Sequence, residues 1–185
     1  MIDVSLRAIS ELYYRGKAPG SKLLLYPIAF TDYVERYAKS WNLPASLILS
    51  VMREESAFDK YAKSNAGALG LMQLMPSTAF WVSDMLGLSM IDSTELQYPE
   101  VSINLGSFYL SRLAKKDRWS IVSVLASYNA GRGRMKRWVH KYKPWKNSMC
   151  AVETIGPIET RNFVRRVIGS LFAYLNLYGL YKDGI

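Results

Sequence analysis

Apolar residues recur at steps of three and four along almost the whole of this 185-residue chain, and no stretch sustains a two-residue alternation of apolar and polar side chains. Phe30, Val34, Tyr37, Ala38 and Trp41 share one helical face, and so do Val101, Leu105, Phe108, Tyr109 and Leu113. The same phase runs through Ile121, Leu125 and Tyr128, through Met135, Trp138, Val139 and Tyr142, and through Val164, Val167, Ile168, Leu171 and Leu175. Strands would place such residues on alternating faces, so the pattern predicts an all-α, mostly helical fold with at most a minor β element. Pro27 precedes the first of these segments, Asn42 and Pro44 follow it, and Gly87 and Gly131 stand where helices stop. The connections carrying Gly67, Gly70 and Pro157 are short or of medium length, and neither a low-complexity linker nor a repeat interrupts them. We expect a single domain over residues 1–185, with 1–25 as a candidate N-terminal extension. A chain of this length buries roughly 70% of its unfolded surface, enough for a sizeable core.

One carboxyl group falls on the apolar side of this pattern. In the segment PASLILSVMREES, steps of three, four and seven back from Glu55 reach Met52, Val51 and Ile48, which directs Glu55 inward. Glu54 lies about 100° round the same helix, beside Ser50 at the margin of the stripe, where water is easier to reach. Desolvation disfavours a carboxylate, and raising a Glu from about 4.3 to between 6 and 7 corresponds to roughly 2 to 4 kcal/mol. Such a group keeps its proton near neutral pH and can serve as a general acid. The commoner arrangement for a helix-end Glu is to turn outward or to pair with a Lys or Arg, and this helix alone leaves both readings open.

Charge and composition narrow the chemistry. The net charge of +9 is concentrated in Arg132, Arg134, Lys136, Arg137, Lys141, Lys143 and Lys146, followed by Arg161, Arg165 and Arg166. Nucleic acid, an anionic membrane and the acidic bacterial wall are candidate partners, and a plain solvated helical face is the alternative. No helix-turn-helix or zinc signature supports nucleic acid. The longest apolar stretch, Leu23 to Phe30, is interrupted by Pro27, so no transmembrane helix is expected. The first twenty residues lack the apolar core and cleavage site of a secretory signal, so any export route lies outside what this chain displays. One cysteine, Cys150, forbids an internal disulfide, and with the single His140 it cannot build a cysteine- or histidine-rich metal site. No metal and no cofactor are expected, and a Ser or Cys nucleophile would have to share that one histidine.

Three segments stand in a telling order: REESAF at Arg53 to Phe58, SNAGALGLMQLMPSTA at Ser64 to Ala79, and SYNAG at Ser127 to Gly131. With ETRNFVRRV at Glu159 to Val167, they resemble the catalytic domain of the soluble lytic transglycosylases, which share the lysozyme-like fold. The resemblance extends from about Tyr26 to Leu180. It implies that the catalytic Glu is the one immediately before a Ser near a helix end, which is Glu55 and agrees with the helical phase. It also implies that Ser64, Gln73, Met75, Tyr128 and Glu159 line the substrate groove. Each has a plainer reading. Gln73 can bond loop backbone, Met75 can fill a core gap, Tyr128 can bury its ring instead of aiming its hydroxyl at the acid, and Glu159 is stabilised at a helix start regardless of function. Gly67 and Gly70 would allow a tight backbone path past the sugars. Trp81, Trp138 and Trp145 can stack on sugar rings, though core packing is the ordinary expectation for each. This chain departs from the family's usual pattern with Glu54 in place of Gln, Asn65 in place of Pro, Phe163 in place of Tyr, and a shifted Pro157 before the ETR segment.

The activity implied by the resemblance is cleavage of the β-1,4 bond between N-acetylmuramic acid and N-acetylglucosamine in peptidoglycan, with one Glu as acid and then base and a 1,6-anhydro product. Its partners would be glycan strands and stem peptides, met by a monomer in the bacterial periplasm or at the cell wall. The alternatives are a goose-type lysozyme-like hydrolase, for which Asp59 is the nearest second acid, and a wall-binding or assembly module without turnover.

Overall fold

The computed structural model describes residues 22–90, 92–116, 120–141 and 149–179. Tyr142, Lys143, Trp145 and Lys146 lie outside the described residues, as do the side chains of Val139, His140, Lys141 and Cys150. The elements are a helical turn α1 (Lys22–Leu25), then α2 (Thr31–Trp41), α3 (Ala45–Ser56), α4 (Pro76–Met85), a 3₁₀ turn (Ser93–Gln97), α5 (Pro99–Lys116), α6 (Ile121–Ala130), α7 (Arg132–Lys141), a second 3₁₀ turn (Met149–Thr154) and α8 (Ile158–Tyr178). The described residues contain no named strand; the β element amounts to two isolated bridges, Lys63 to Leu69 and Leu69 to Leu74. None of the described helices is long and apolar enough to cross a membrane.

α3 is the axis of the domain. Every residue from Ser46 to Met52 is buried, so the helix is enclosed on all sides and not along one stripe, because α2 and α8 pack against it from different directions. Ile48, Val51 and Met52 have no exposed surface, as their phase demands. Pro44 starts the helix from extended backbone, where its missing N–H costs nothing. Ala57 and Phe58 then end it in two successive left-handed residues, with φ of 49° and 65°, a conformation that costs about 1 kcal/mol or more per non-glycine residue. Two contacts hold that turn. Phe58 is buried, and Ser56 Oγ lies 3.0 Å from Met52 O and 2.8 Å from Leu71 O, tying the helix end to the loop that follows.

That loop is fixed by its own backbone. Gly70 N–H donates to Ala62 O at 3.0 Å, Leu69 and Leu74 exchange hydrogen bonds at 3.0 and 3.2 Å, and Leu71 and Met72 are fully buried against α5. Met72 N–H donates to Ser102 Oγ at 3.2 Å, and the absent side chain of Gly106 leaves the room that the Met72 thioether occupies. α4 was not signalled by apolar spacing, since it buries only Ala79, Val82 and Ser83; its signs are Pro76 at the first turn and Gly87 just past the end. Phe30, read as part of the first helical face, sits just before α2 as its cap, at φ 56°.

Two glycines with positive φ differ in what surrounds them. A Cβ at Gly70 (φ 77°) would lie 1.9 Å from Leu96 O, whereas at Gly87 (φ 66°) it would meet nothing within 4 Å. Gly87→Ala should therefore cost about 1 kcal/mol from backbone strain alone, and Gly70→Ala at least about 3 kcal/mol. Chemical denaturation reads both, and equal losses would show that the Leu96 contact does not constrain the loop.

Candidate active site

Glu55, Ser64, Gln73, Met75, Tyr128 and Glu159 all line one open cleft of about 610 Å³. They come from the end of α3 and the glycine-punctuated loop that follows it, the C-terminal half of α6 and the first turn of α8, so three distant regions of the sequence converge there. Glu55 is partly buried on the cleft wall. Burial pushes its carboxyl up to about 8, Arg166 opposes the rise, and Glu54 and Glu159 add to it. The last turn of a helix carries partial negative charge, which further disfavours an anion at this position.

Glu54 is the correction to the helical-phase argument. Its side chain is only 7% exposed and does not reach for water. It is enclosed by α8: Arg166 Nε donates to Glu54 Oε2 at 3.1 Å, Ser170 Oγ donates to Oε1 at 2.6 Å, and Arg53 Nη1 also donates to Oε1. Arg53 is itself set by Leu25 O, 2.8 Å from its Nε, and by the Tyr26 ring, whose centroid is 4.4 Å from its guanidinium carbon. Two adjacent acids thus have opposite environments, one paired with two arginines and one desolvated.

The groove residues divide their polar atoms between the loop and the cleft. Gln73 meets both of its readings: Nε2 donates to Ala62 O at 2.9 Å and Gly70 O at 3.0 Å, and the side chain still lines the cleft. Ser64 Oγ accepts the Ala68 N–H at 3.0 Å, which leaves its proton for a ligand. Met75 is 40% exposed and fills no core gap. Tyr128 lines the cleft and takes the plainer of its two readings for the hydroxyl. Its hydroxyl donates to Met72 O at 2.8 Å, not to Glu55, so its oxygen has only acceptor capacity left. Burial, followed by the charge of Glu55, raises the Tyr128 hydroxyl well above the usual tyrosine range. Glu159 is exposed at the start of α8 and is the second acid of the cleft among the described residues; Asp59 is not at the cleft and instead accepts the Tyr61 N–H at 2.9 Å.

Sequence reasoning missed Tyr109, Thr78 and Asn129 as cleft residues. Tyr109 carried only a core signal, from its helical phase. Asn129 stood beside Tyr128 in the SYNAG segment, and its Oδ1 accepts the Thr160 hydroxyl at 2.8 Å, joining α6 to α8. Trp81, expected in the core, is 43% exposed, while Trp138 packs partly buried against the core. The later arginines are engaged structurally: Arg161 donates twice to Ile155 O, Arg165 pairs with Glu153 and Arg166 with Glu54. Arg134, Lys136 and Arg137 form an exposed basic face on α7. Among the described residues, no three His, Cys, Asp or Glu side chains group in a way that could hold a metal ion.

Residues 32–152 match the Transglycosylase SLT domain family, and the chain belongs to that family. It is 34% identical over 144 residues to the soluble lytic murein transglycosylase of Escherichia coli K12, a match covering 77% of this chain and 22% of that protein. The 70-kDa soluble lytic transglycosylase of Escherichia coli superposes with a TM-score of 0.83 at 29% identity, over 96% of this chain and 30% of that one. An inactive Glu→Gln mutant of the Pseudomonas aeruginosa lytic transglycosylase Slt superposes with a TM-score of 0.81 at 32% identity, over 96% of this chain and 28% of that one. The fold is the all-α, lysozyme-like fold of these enzymes. This chain spans about a quarter of the length of the soluble lytic murein transglycosylases it matches.

The desolvated carboxyl has a thermodynamic signature. Because folding raises Glu55 from 4.5 to about 8, its contribution to stability is fully present below pH 4.5, falls as the unfolded state alone ionises, and is lost as pH passes 8. Glu55→Gln removes this dependence. The variant should gain on the order of 4 to 5 kcal/mol over the wild type between pH 4 and pH 8.5. Parallel stability curves in urea across that range would show that Glu55 is not desolvated.

Proposed function

We propose that this domain is a peptidoglycan lytic transglycosylase that cleaves the β-1,4 bond between N-acetylmuramic acid and N-acetylglucosamine and leaves a 1,6-anhydromuramic end. The observation that carries the reading is Glu55: a carboxyl raised to about 8, on the wall of an open cleft with five further residues of the family's groove. At neutral pH it holds the proton that the glycosidic oxygen needs in order to leave. The substrate's acetamido group stabilises the cationic carbon, and Glu55, now anionic, takes the proton of the 6-hydroxyl as that oxygen closes on the same ring. This route needs no second carboxylate, unlike the usual two-acid glycosidase, and the intramolecular attack draws on proximity worth roughly 7 kcal/mol or more. Ser64, Gln73 and Met75 form the loop side of the groove, and Tyr128, with acceptor capacity only, suits the protonated acid. We read residues 1–185 as one catalytic domain with 1–25 as an extension, acting on glycan strands and stem peptides as a monomer in the bacterial periplasm or at the wall.

The runner-up, a lysozyme-like hydrolase, is favoured by one observation: Glu159 places a second carboxyl in the cleft. Mass analysis of digested peptidoglycan separates the two, since the transglycosylase gives anhydro muropeptides and the hydrolase gives reducing ends heavier by one water. Glu55→Gln should fold and lose at least about a hundredfold in turnover, and full retention would remove Glu55 from the chemistry. Activity of the wild type should fall as pH rises through about 8. Glu54→Gln removes an anion that raises Glu55 and releases Arg166 to act on it, so both effects lower the acid and shift that alkaline limb to lower pH. An unmoved or upward-shifted limb would contradict this electrostatic account.

A further inference from the structure

Three rings lead out of the cleft in order of increasing exposure. Tyr128 is buried at the cleft, Tyr109 is half-buried with its centroid 5.5 Å away, and Trp81, 43% exposed, meets Tyr109 edge-on at 6.2 Å. Trp81 stands on α4 one turn beyond Thr78, and Met75, Thr78 and Tyr109 line the cleft, so the indole lies just beyond the lining residues, next to Tyr109. The Arg112 guanidinium carbon lies 5.3 Å from the indole centroid. Its Nε is buried with no hydrogen-bond partner among the described residues, so stacking on the ring holds that part of the head group in place. The indole is backed by a cation and still keeps 43% of its surface exposed. An exposed flat apolar surface continuous with a sugar-binding groove fits the CH face of a pyranose, and the adjacent positive charge suits a strand that bears carboxylates.

We propose that Trp81, backed by Arg112 and set by Tyr109, is a further glycan subsite at the mouth of the cleft, receiving a ring of the β-1,4-linked N-acetylhexosamine strand beyond the sugars that flank Glu55. The proposal rests on the reading of the cleft as a glycan site. It predicts a dependence on strand length that the groove residues around Glu55 do not supply.

The test compares the full chain with Trp81→Ala and Trp81→Phe on long peptidoglycan strands and on a tetrasaccharide muropeptide. Trp81→Ala should raise KM for long strands roughly tenfold with kcat within about twofold, and raise KM for the tetrasaccharide less than about twofold. Trp81→Phe, which keeps a ring, should recover most of the loss. An unchanged KM on long strands, or equal losses on both lengths, overturns the subsite while leaving the activity standing. Calorimetry on Glu55→Gln with chitohexaose, with and without Trp81→Ala, separates the two failures. If the wild type turns over neither substrate, the proposed activity falls, and the subsite then stands on weakened hexamer binding without the indole or falls on equal binding.

Discussion

The desolvation of Glu55 is the constraint on which the site depends, and it follows from where α3 lies. A helix enclosed from Ser46 to Met52 cannot present its last turn to bulk water on every side. Of its residues, Glu55 in that last turn is the one that lines the cleft. The carboxyl therefore meets apolar surroundings, the negative end of its own helix and a wall carrying Glu159, with Arg166 as the main opposing charge. Burial outweighs Arg166, whose Nε is shared with Glu54. The paired acid thereby limits what a nearby cation can do to the unpaired one.

The glycine-punctuated loop converts this electrostatic arrangement into a groove. Its backbone hydrogen bonds, the Gln73 amide and the buried Leu71 and Met72 hold it against α5, and Ser56 joins it to the helix that carries Glu55. Gly70 is confined by Leu96 O at a distance that no side chain tolerates. Met72 does two jobs at once: its side chain fills the space beside Gly106, and its carbonyl takes the Tyr128 proton. The groove thus derives its shape from the same packing that stabilises the domain.

Helical phase was legible because each stripe had to be buried, and it placed Ile48, Val51 and Met52 in the core and directed Glu55 inward. The motif resemblance named six residues that share one cleft, although their roles there are still proposals. Phase failed for Glu54, since a single helix gives no sign that α8 will cover its margin with Arg166 and Ser170. It was incomplete for Tyr109, which packs against the core and also lines the cleft, because an aromatic in helical register reads as core whether its neighbour is another helix or an open groove. For Trp81 no phase was visible, and the ordinary expectation of core packing did not hold. The direction of the Tyr128 hydroxyl stayed open for a related reason: its partner, the Met72 carbonyl, is a backbone atom that no sequence pattern marks.

The central claim is that one carboxyl in the resting domain keeps its proton through neutral pH, and titration of that group measures it directly. With carboxyl-¹³C-labelled glutamate, the wild type should show one resonance with a midpoint about 8, and that resonance should be missing from Glu55→Gln. A Glu55 midpoint near 4.5, the ordinary value, would contradict the account, because the acid would then be ionised before any substrate arrived.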